Sequence, residues 1–263
     1  MTEHTYPYLT IPDRQEKPRT VGRTMVHDGG FSASHAEMIL ETAGPYIDYY
    51  KFRTFTHKLY PEDLTLKKIA LLKEHNIKPF MGGNVAELAY VQGTLEEHLA
   101  YTKKHGWEVI EISETYVTYD EEKKLDLIKR CADDGLEVIY EWGLKHPEKP
   151  LEPEEAAEDI QRYLEAGVTI AMVEEGEIDM LIGKDGEGEH GDTLKKLFEI
   201  VGPENLMVEC GTMKQVGWFM LEMGTVINLA NLELDAVIDI EPLRRGIGRI
   251  VDNLIYKPYL NKS

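Results

Sequence analysis

The chain has 263 residues, enough for one large domain and close to the size of a single α/β barrel. Its 48 Asp and Glu against 29 Lys and Arg leave a formal charge of −19, which disfavours nucleic acid and anionic membrane as partners, although a local basic pocket can still accept an anion. The two cysteines, Cys131 and Cys210, form no CxxC or Cys/His cluster, so a zinc ribbon or redox pair is disfavoured and a reducing compartment fits.

Residues 1–19 are polar and proline-bearing and read as an extended N-terminal arm with no secretory signal. Residues 20–263 read as one domain. No stretch approaches the roughly 18 apolar residues of a membrane span, so a cytoplasmic protein is expected. Along this domain β-type apolar runs alternate with amphipathic helical stretches. The expected strands are Arg23–Asp28, Tyr46–Phe52, Lys78–Gly82, Glu108–Ser113, Glu137–Glu141, Thr169–Glu174, Leu206–Glu209 and Val226–Leu229.

Helices between them have readable ends. Ser34–Thr42 stops at Gly44, and Asp120–Asp134 stops at Gly135. Pro61 and Pro153 each open a helix, because proline's missing N–H would be unpaired in a first turn anyway. Gly167 closes the helix that Pro153 opens, as expected of a C-terminal cap. Several strand runs are continuously apolar, the pattern of parallel strands covered on both faces. Eight such units without a composition break, and without Gly-x-Gly-x-x-Gly after the first strand, predict an α/β fold: a single closed (β/α)8 TIM barrel rather than a doubly wound sheet.

Chemistry in such a barrel sits at the C-terminal ends of the strands. Those ends carry Asp28, Lys51, Gly82-Gly83-Asn84, Glu111 with Ser113, Glu141 with Lys145, Glu174, Glu209, and Asn228 with Asn231. Carboxylates ending apolar runs need compensation. They either hold a hard cation through oxygen ligands or form salt bridges with Lys51, Lys145 and Arg244 around the mouth. Lys51 is either a point charge for a phosphate or carboxylate or the partner of Glu111.

Gly82-Gly83 can turn backbone N–H groups towards an anion. Arg244, in Glu241-Pro-Leu-Arg-Arg-Gly246, is placed where such barrels often bind phosphate, or on a solvated helix face. The histidines show no ligand spacing. The glycine-rich segment 183–191 lacks the ligand spacing of a calcium loop and reads as a mobile loop. Trp107, Trp142 and Trp218 read as packing.

At these residues the chain resembles the phosphosulfolactate synthase family of coenzyme M biosynthesis, over most of residues 20–250. The resemblance is carried by Lys51-Phe52, Gly82-Gly83, Glu111-Ile112-Ser113, Glu141 with Gly143 and Lys145, Glu165-Ala166-Gly167, Glu174, Glu209, Asn228-Leu229-Ala230-Asn231 and Glu241 to Gly246. It implies a (β/α)8 lyase that adds sulfite to phosphoenolpyruvate with Mg2+, giving (2R)-phospho-3-sulfolactate, with Lys145 as general acid.

On that reading Lys145, Lys51 and Glu111 are the catalytic candidates, and Glu141, Glu174 and Glu209 the metal ligands. Gly82, Gly83, Ser113, Asn228, Asn231 and Arg244 bind substrate. The expected partner is a small anionic phosphorylated substrate; a homo-oligomer is left open.

The departures fall in substrate loops. Arg53-Thr54-Phe55-Thr56 replaces the family's Gly-Trp-Gly-Thr, and Asn84-Val85-Ala86-Glu87 keeps only the glutamate of Thr-Leu-Phe-Glu. Glu175-Gly176-Glu177-Ile178 lacks the arginine of Gly-Arg-Glu-Ser, and Cys210-Gly211 stands for Ala-Pro. Arg53 is placed to restore the lost positive charge from another loop. A related enolate chemistry with a different nucleophile is therefore a second reading, and a non-enzymatic role, as in heat-stress-associated plant relatives, a third.

Overall fold

Among the described residues eight strands form one all-parallel sheet: β1 (Thr24–Asp28), β2 (Tyr49–Phe52), β3 (Lys78–Met81), β4 (Val109–Ile112), β5 (Glu137–Trp142), β6 (Ile170–Val173), β7 (Leu206–Glu209) and β8 (Leu229–Glu233). This computed structural model describes residues 5–53 and 55–260; the first four residues of the expected arm, Thr54 and the last three residues lie outside them. The strand order is β3-β2-β1-β8-β7-β6-β5-β4. The two ends meet where the Glu108 N–H donates to the Pro79 carbonyl at 3.4 Å. Lys78 and Gly82 of the β3 segment donate to β2-side carbonyls, which leaves position 79 facing β4. Proline has no N–H to offer there, so this seam of the barrel is thin.

Among the described residues eleven α-helices surround the sheet. They are α1 (Ala33–Ala43), α2 (Glu62–Glu74), α3 (Asn84–Val91), α4 (Leu95–Lys104), α5 (Glu121–Asp133), α6 (Pro153–Ala166), α7 (Glu175–Ile182), α8 (Gly191–Val201), α9 (Met213–Glu222), α10 (Val237–Arg244) and α11 (Lys257–Leu260). Ser32 and Asp120 cap α1 and α5 by accepting from the N–H three residues on, Pro153 opens α6, and Thr212 with Gln215 forms a capping box on α9.

The period of two along each strand sorts the core. Met25, Tyr49, Phe80, Val109, Ile139, Met172, Met207 and Ala230 pack together inside the barrel. Val26, Tyr50, Phe52, Ala171, Val173, Leu206 and Val208 point outwards, into the layer shared with the helices. Two residues beyond the inner set lie His27, Lys51, Gly82, Glu111, Glu141, Glu174 and Glu209, so parity places a charged layer directly above an apolar plug.

Three expectations are corrected. The last strand starts at Leu229 rather than running Val226–Leu229. Asn228, fully buried just before it, accepts from the Arg23 N–H at 2.8 Å and donates to the carbonyls of Pro203 and Leu206, both at 2.8 Å. Asp28 points outside the barrel, paired with Lys68 of α2. Segment 183–191 is anchored: Gly186, Gly188 and Gly191 lie against Trp218, and the Thr212 hydroxyl donates to the Lys184 carbonyl at 2.7 Å.

The arm crosses the N-terminal end of the barrel. Arg14 pairs with Glu241, Arg19 with Asp48 at 2.9 Å, and the Lys17 ammonium donates to the carbonyls of Gly44, His75 and Asn76.

Candidate active site

A cavity of about 480 Å3 opens at the C-terminal end of the strands, lined by Lys51, Gly82, Gly83, Glu111, Ser113, Glu141, Lys145, Glu174, Glu209 and Asn231, among others. Lys51 stands at its base, 2.9 Å from Glu111, 3.7 Å from Glu209 and 3.8 Å from Glu141. Burial alone pulls a lysine ammonium down, but Glu111, Glu209 and Glu141 outweigh it and hold Lys51 well above its ordinary range. Lys51 is therefore a fixed positive charge. Lys145, on the loop after β5, reaches over the same group, 3.1 Å from Glu174 and 3.8 Å from Glu141. Its side chain is 46% exposed, so it stands at the mouth, open to a ligand.

With every group ionised, the four carboxylates of this cluster would exceed its two ammoniums by two negative charges. The protein's own answer is protonation: burial, against the pull of Lys51 and with the neighbouring glutamates adding to it, pushes Glu209 up to about 8. Burial and then Glu141 push Glu174 up to about 7. Glu141, Glu174 and Glu209 each offer an oxygen, all within 4.8 Å of one another. Three carboxylates without sulfur or imidazole suit a hard divalent cation. Such a cation would also remove the charge excess that now raises Glu174 and Glu209.

The other residues around the cluster hold it in place. Asn231 occupies the left-handed region with φ 54°, a conformation asparagine tolerates better than most residues. There it donates to Glu209, which also accepts from the Glu175 N–H at 3.2 Å. The Thr115 hydroxyl donates to Glu141 at 3.3 Å. Buried Glu87, from the first turn of α3, accepts from the hydroxyl of Ser113 and from the N–H groups of Thr115, Tyr116 and Val117. It thereby shapes the loop that brings Thr115 in. Glu87 and Thr115 had no role assigned from sequence. Thr115 follows the β4 carboxylate by four residues and was reachable by extending the strand-end reading into the loop.

Two substrate assignments are relocated. Asn228 and Arg244 lie at the opposite end of the barrel. Buried Arg244 donates to the carbonyls of Thr225 at 3.1 Å, Ile227 at 2.7 Å and Arg23 at 3.1 Å; it ties α10 to β1 and the approach to β8. Gly82 and Gly83 line the cavity, but their N–H groups are used within the protein, by the Phe52 carbonyl and by Glu111 at 2.6 Å. Gly83 is needed for space: a Cβ there would collide with Ser113. Ser113 lines the cavity with its hydroxyl committed to Glu87.

The departures from the family pattern also fall here. Gly176 stands where that pattern has arginine, and a Cβ on it would strike the backbone carbonyls of Leu144 and Lys145. The Lys145 loop therefore rests directly on α7. Arg53 lines the same cavity, half-exposed, 3.3 Å from His27 and 3.7 Å from Glu233. Among the described residues no helix is long and apolar enough to cross a membrane.

The profile of the (2R)-phospho-3-sulfolactate synthase (ComA) family matches residues 12–249. The phosphosulfolactate synthase of Methanothermobacter thermautotrophicus is 30% identical over 248 residues, 93% of this chain and 96% of that protein. Protein HEAT-STRESS-ASSOCIATED 32 of Arabidopsis thaliana is 25% identical over 94% of each chain. Among solved structures, a type I 3-dehydroquinate dehydratase from Clostridium difficile superposes with a TM-score of 0.55 at 13% identity, covering 89% of this chain and 98% of the other, a likeness of fold alone.

Proposed function

The chain belongs to the (2R)-phospho-3-sulfolactate synthase family, and we propose that it adds sulfite to phosphoenolpyruvate with Mg2+ as its metal. The observation that carries this reading is the Glu141–Glu174–Glu209 oxygen cluster with Lys51 and Lys145 beside it. A phosphorylated anion would be repelled by these carboxylates wherever they are ionised. A divalent cation on those carboxylates would cancel that negative charge.

In the proposed reaction the sulfite sulfur forms a bond to the methylene carbon of phosphoenolpyruvate. The electron pair of the double bond moves towards the carboxylate as an enolate. The Lys145 ammonium then delivers a proton to C2, and the phosphoester bond stays intact. Burial lowers and Glu141 and Glu174 raise the Lys145 ammonium, with a net rise. Neutralising those carboxylates brings it back towards the range of a working acid.

Lys51 stays protonated and offers a fixed charge to the enolate as it forms. A bound Mg2+ supplies the positive charge that the substrate carboxylate and its enolate need. Asn231 and Thr115 keep Glu209 and Glu141 oriented towards the cluster. Arg53, freed from Glu233, is the group in reach for the phosphate.

A second reading, the same enolate chemistry with another nucleophile, is favoured by the position of the departures: residues 53, 175, 210 and 211 all line the cavity. The test is to incubate the protein with phosphoenolpyruvate, sulfite and Mg2+, with and without EDTA, and to look for the sulfonated product by mass spectrometry. Product that requires both sulfite and metal supports the first reading. Loss of phosphoenolpyruvate with other nucleophiles but not sulfite would support the second. A folded protein that turns over nothing and binds no metal would favour the non-enzymatic role.

A further inference from the structure

A second cavity, of about 400 Å3, lies at the opposite end of the barrel. It is lined by Lys17, Arg19, Arg23, Asp48, Tyr49, Lys73, Lys78 and Glu108, with Asn76, Ile77 and Pro18. These residues come from the arm and from the entries to β1, β2, β3 and β4. Five cations converge there in a chain whose formal charge is −19.

Three of the five are matched by carboxylates. Arg19 pairs with Asp48 at 2.9 Å, Lys73 with Glu108 at 3.0 Å, and Lys78 with Glu137. The other two have no carboxylate partner among the described residues. Lys17 donates only to the carbonyls of Gly44, His75 and Asn76. The Arg23 guanidinium makes one hydrogen bond, from Nε to the Arg19 carbonyl at 2.8 Å. Crowding and burial are felt at Lys17: burial pulls its ammonium down to about 8, with Asp48 opposing and Arg19 and Arg14 adding to the fall.

A cavity edged by two uncompensated cations, one of them a planar guanidinium, is complementary to a dianion. Its volume exceeds that of a bare oxyanion and leaves room for a short organic chain. We infer that this end of the barrel is a binding site for a phosphate dianion, free or as the phosphomonoester of a small molecule, held by Arg23, whose Nη1 has no hydrogen-bond partner, with the Lys17 ammonium, its three donors already committed to carbonyls, adding charge alone. Ligand bound there clamps the arm to the barrel, since Lys17, Arg19 and Arg23 precede β1 while Lys73, Lys78 and Glu108 belong to the α2–β4 side. The inference is independent of the chemistry proposed at the other mouth.

The test is a calorimetric titration of inorganic phosphate and of glycerol 3-phosphate into the full chain. EDTA is present throughout, so that the acidic mouth, without a cation, repels the same ligands. Saturable binding of one ligand per chain is expected, with the tighter of the two showing whether free phosphate or a phosphomonoester is the better match. Arg23→Gln should weaken binding about tenfold or more. Lys73→Glu, a change on an exposed side chain, should weaken it by a smaller factor through charge alone. Arg53→Gln at the opposite mouth should leave it unchanged. Absence of saturable binding in the wild type would overturn the inference. So would binding unchanged in folded Arg23→Gln, or, if that variant does not fold, unchanged in Lys73→Glu.

Discussion

Lys145 and Lys51 are both lysines at strand ends beside glutamates, yet their surroundings assign them different work. Lys51 is enclosed by Glu111, Glu141 and Glu209, whereas Lys145 keeps nearly half its side chain open at the mouth. Lys145→Ala should lower turnover about 10²–10⁴-fold while changing stability by no more than about 0.5 kcal/mol. Initial rates and a thermal melt check both halves; wild-type turnover in the variant would return Lys145 to a surface role.

The two asparagines of Asn228-Leu-Ala-Asn231 make a second contrast. Asn228→Ala removes three hydrogen bonds of a fully buried side chain at the foot of the barrel and should cost about 2–4 kcal/mol of stability, with activity per folded molecule retained. Asn231→Gly, which keeps the left-handed backbone accessible, frees Glu209 and should do the reverse, lowering activity with little change in melting temperature. Both assignments fail if the two variants behave alike. The residue types at the site were legible because inward positions alternate along each strand. Which asparagine belongs to the site was not, because that depends on where β8 begins. The apolar run Val226, Ile227, Leu229 looks like a strand until the side chain of Asn228 is seen holding the turn before it.

At the scale of elements, α7 and the loop after β5 form one unit. The loop carbonyls of Leu144 and Lys145 pack on Gly176, and the Leu144 N–H donates to Glu177 at 2.9 Å. Gly176→Ala adds one carbon at this contact and must push the loop away. A displacement of about 1 Å at a catalytic group can cost up to about 10²-fold in rate, so turnover should fall by about 10–100-fold, with an overpacking cost of about 1–3 kcal/mol. Unchanged kcat in this variant would mean that the loop does not position Lys145.

The missing arginine after the sixth strand is legible in the sequence but its consequence is not, because contact between two loops distant in sequence leaves no local pattern. The helices were easier to read: Ser32 and Asp120 cap their helices, and Pro153 and Gly167 bracket α6, all local chemistry. The outward turn of Asp28 was also readable in principle, since it follows inward His27 by one residue in a period of two.

Across the whole molecule the barrel separates two electrostatic ends, an acidic mouth and a basic foot, joined by an apolar plug. Folding raises Glu209 to about 8 and Glu174 to about 7 from an ordinary carboxylate range near 4.5. The folded state therefore binds more protons than the unfolded state between those limits. Stability from these groups is fully present below about 4.5 and is lost as pH rises through 7 to 8. Without metal, the melting temperature should fall as pH rises across that window. With Mg2+ at about 100 times its Kd, the fall should be offset by about 2.7 kcal/mol, or roughly 5–10 °C. A metal-free melting temperature that rises over the same range would contradict these protonation states.

The central claim is that Glu141, Glu174 and Glu209 hold a divalent cation whose charge lets an anionic substrate in. The most direct measurement is calorimetric titration of Mg2+ at pH 7.5, in two buffers of different ionisation enthalpy, into wild type and Glu209→Gln. The account predicts saturable binding of one Mg2+ per wild-type chain with release of protons from Glu174 and Glu209. It predicts tighter binding with phosphoenolpyruvate present, and binding at least about tenfold weaker in Glu209→Gln. No saturable Mg2+ binding with or without phosphoenolpyruvate, or equal binding by Glu209→Gln, would contradict it.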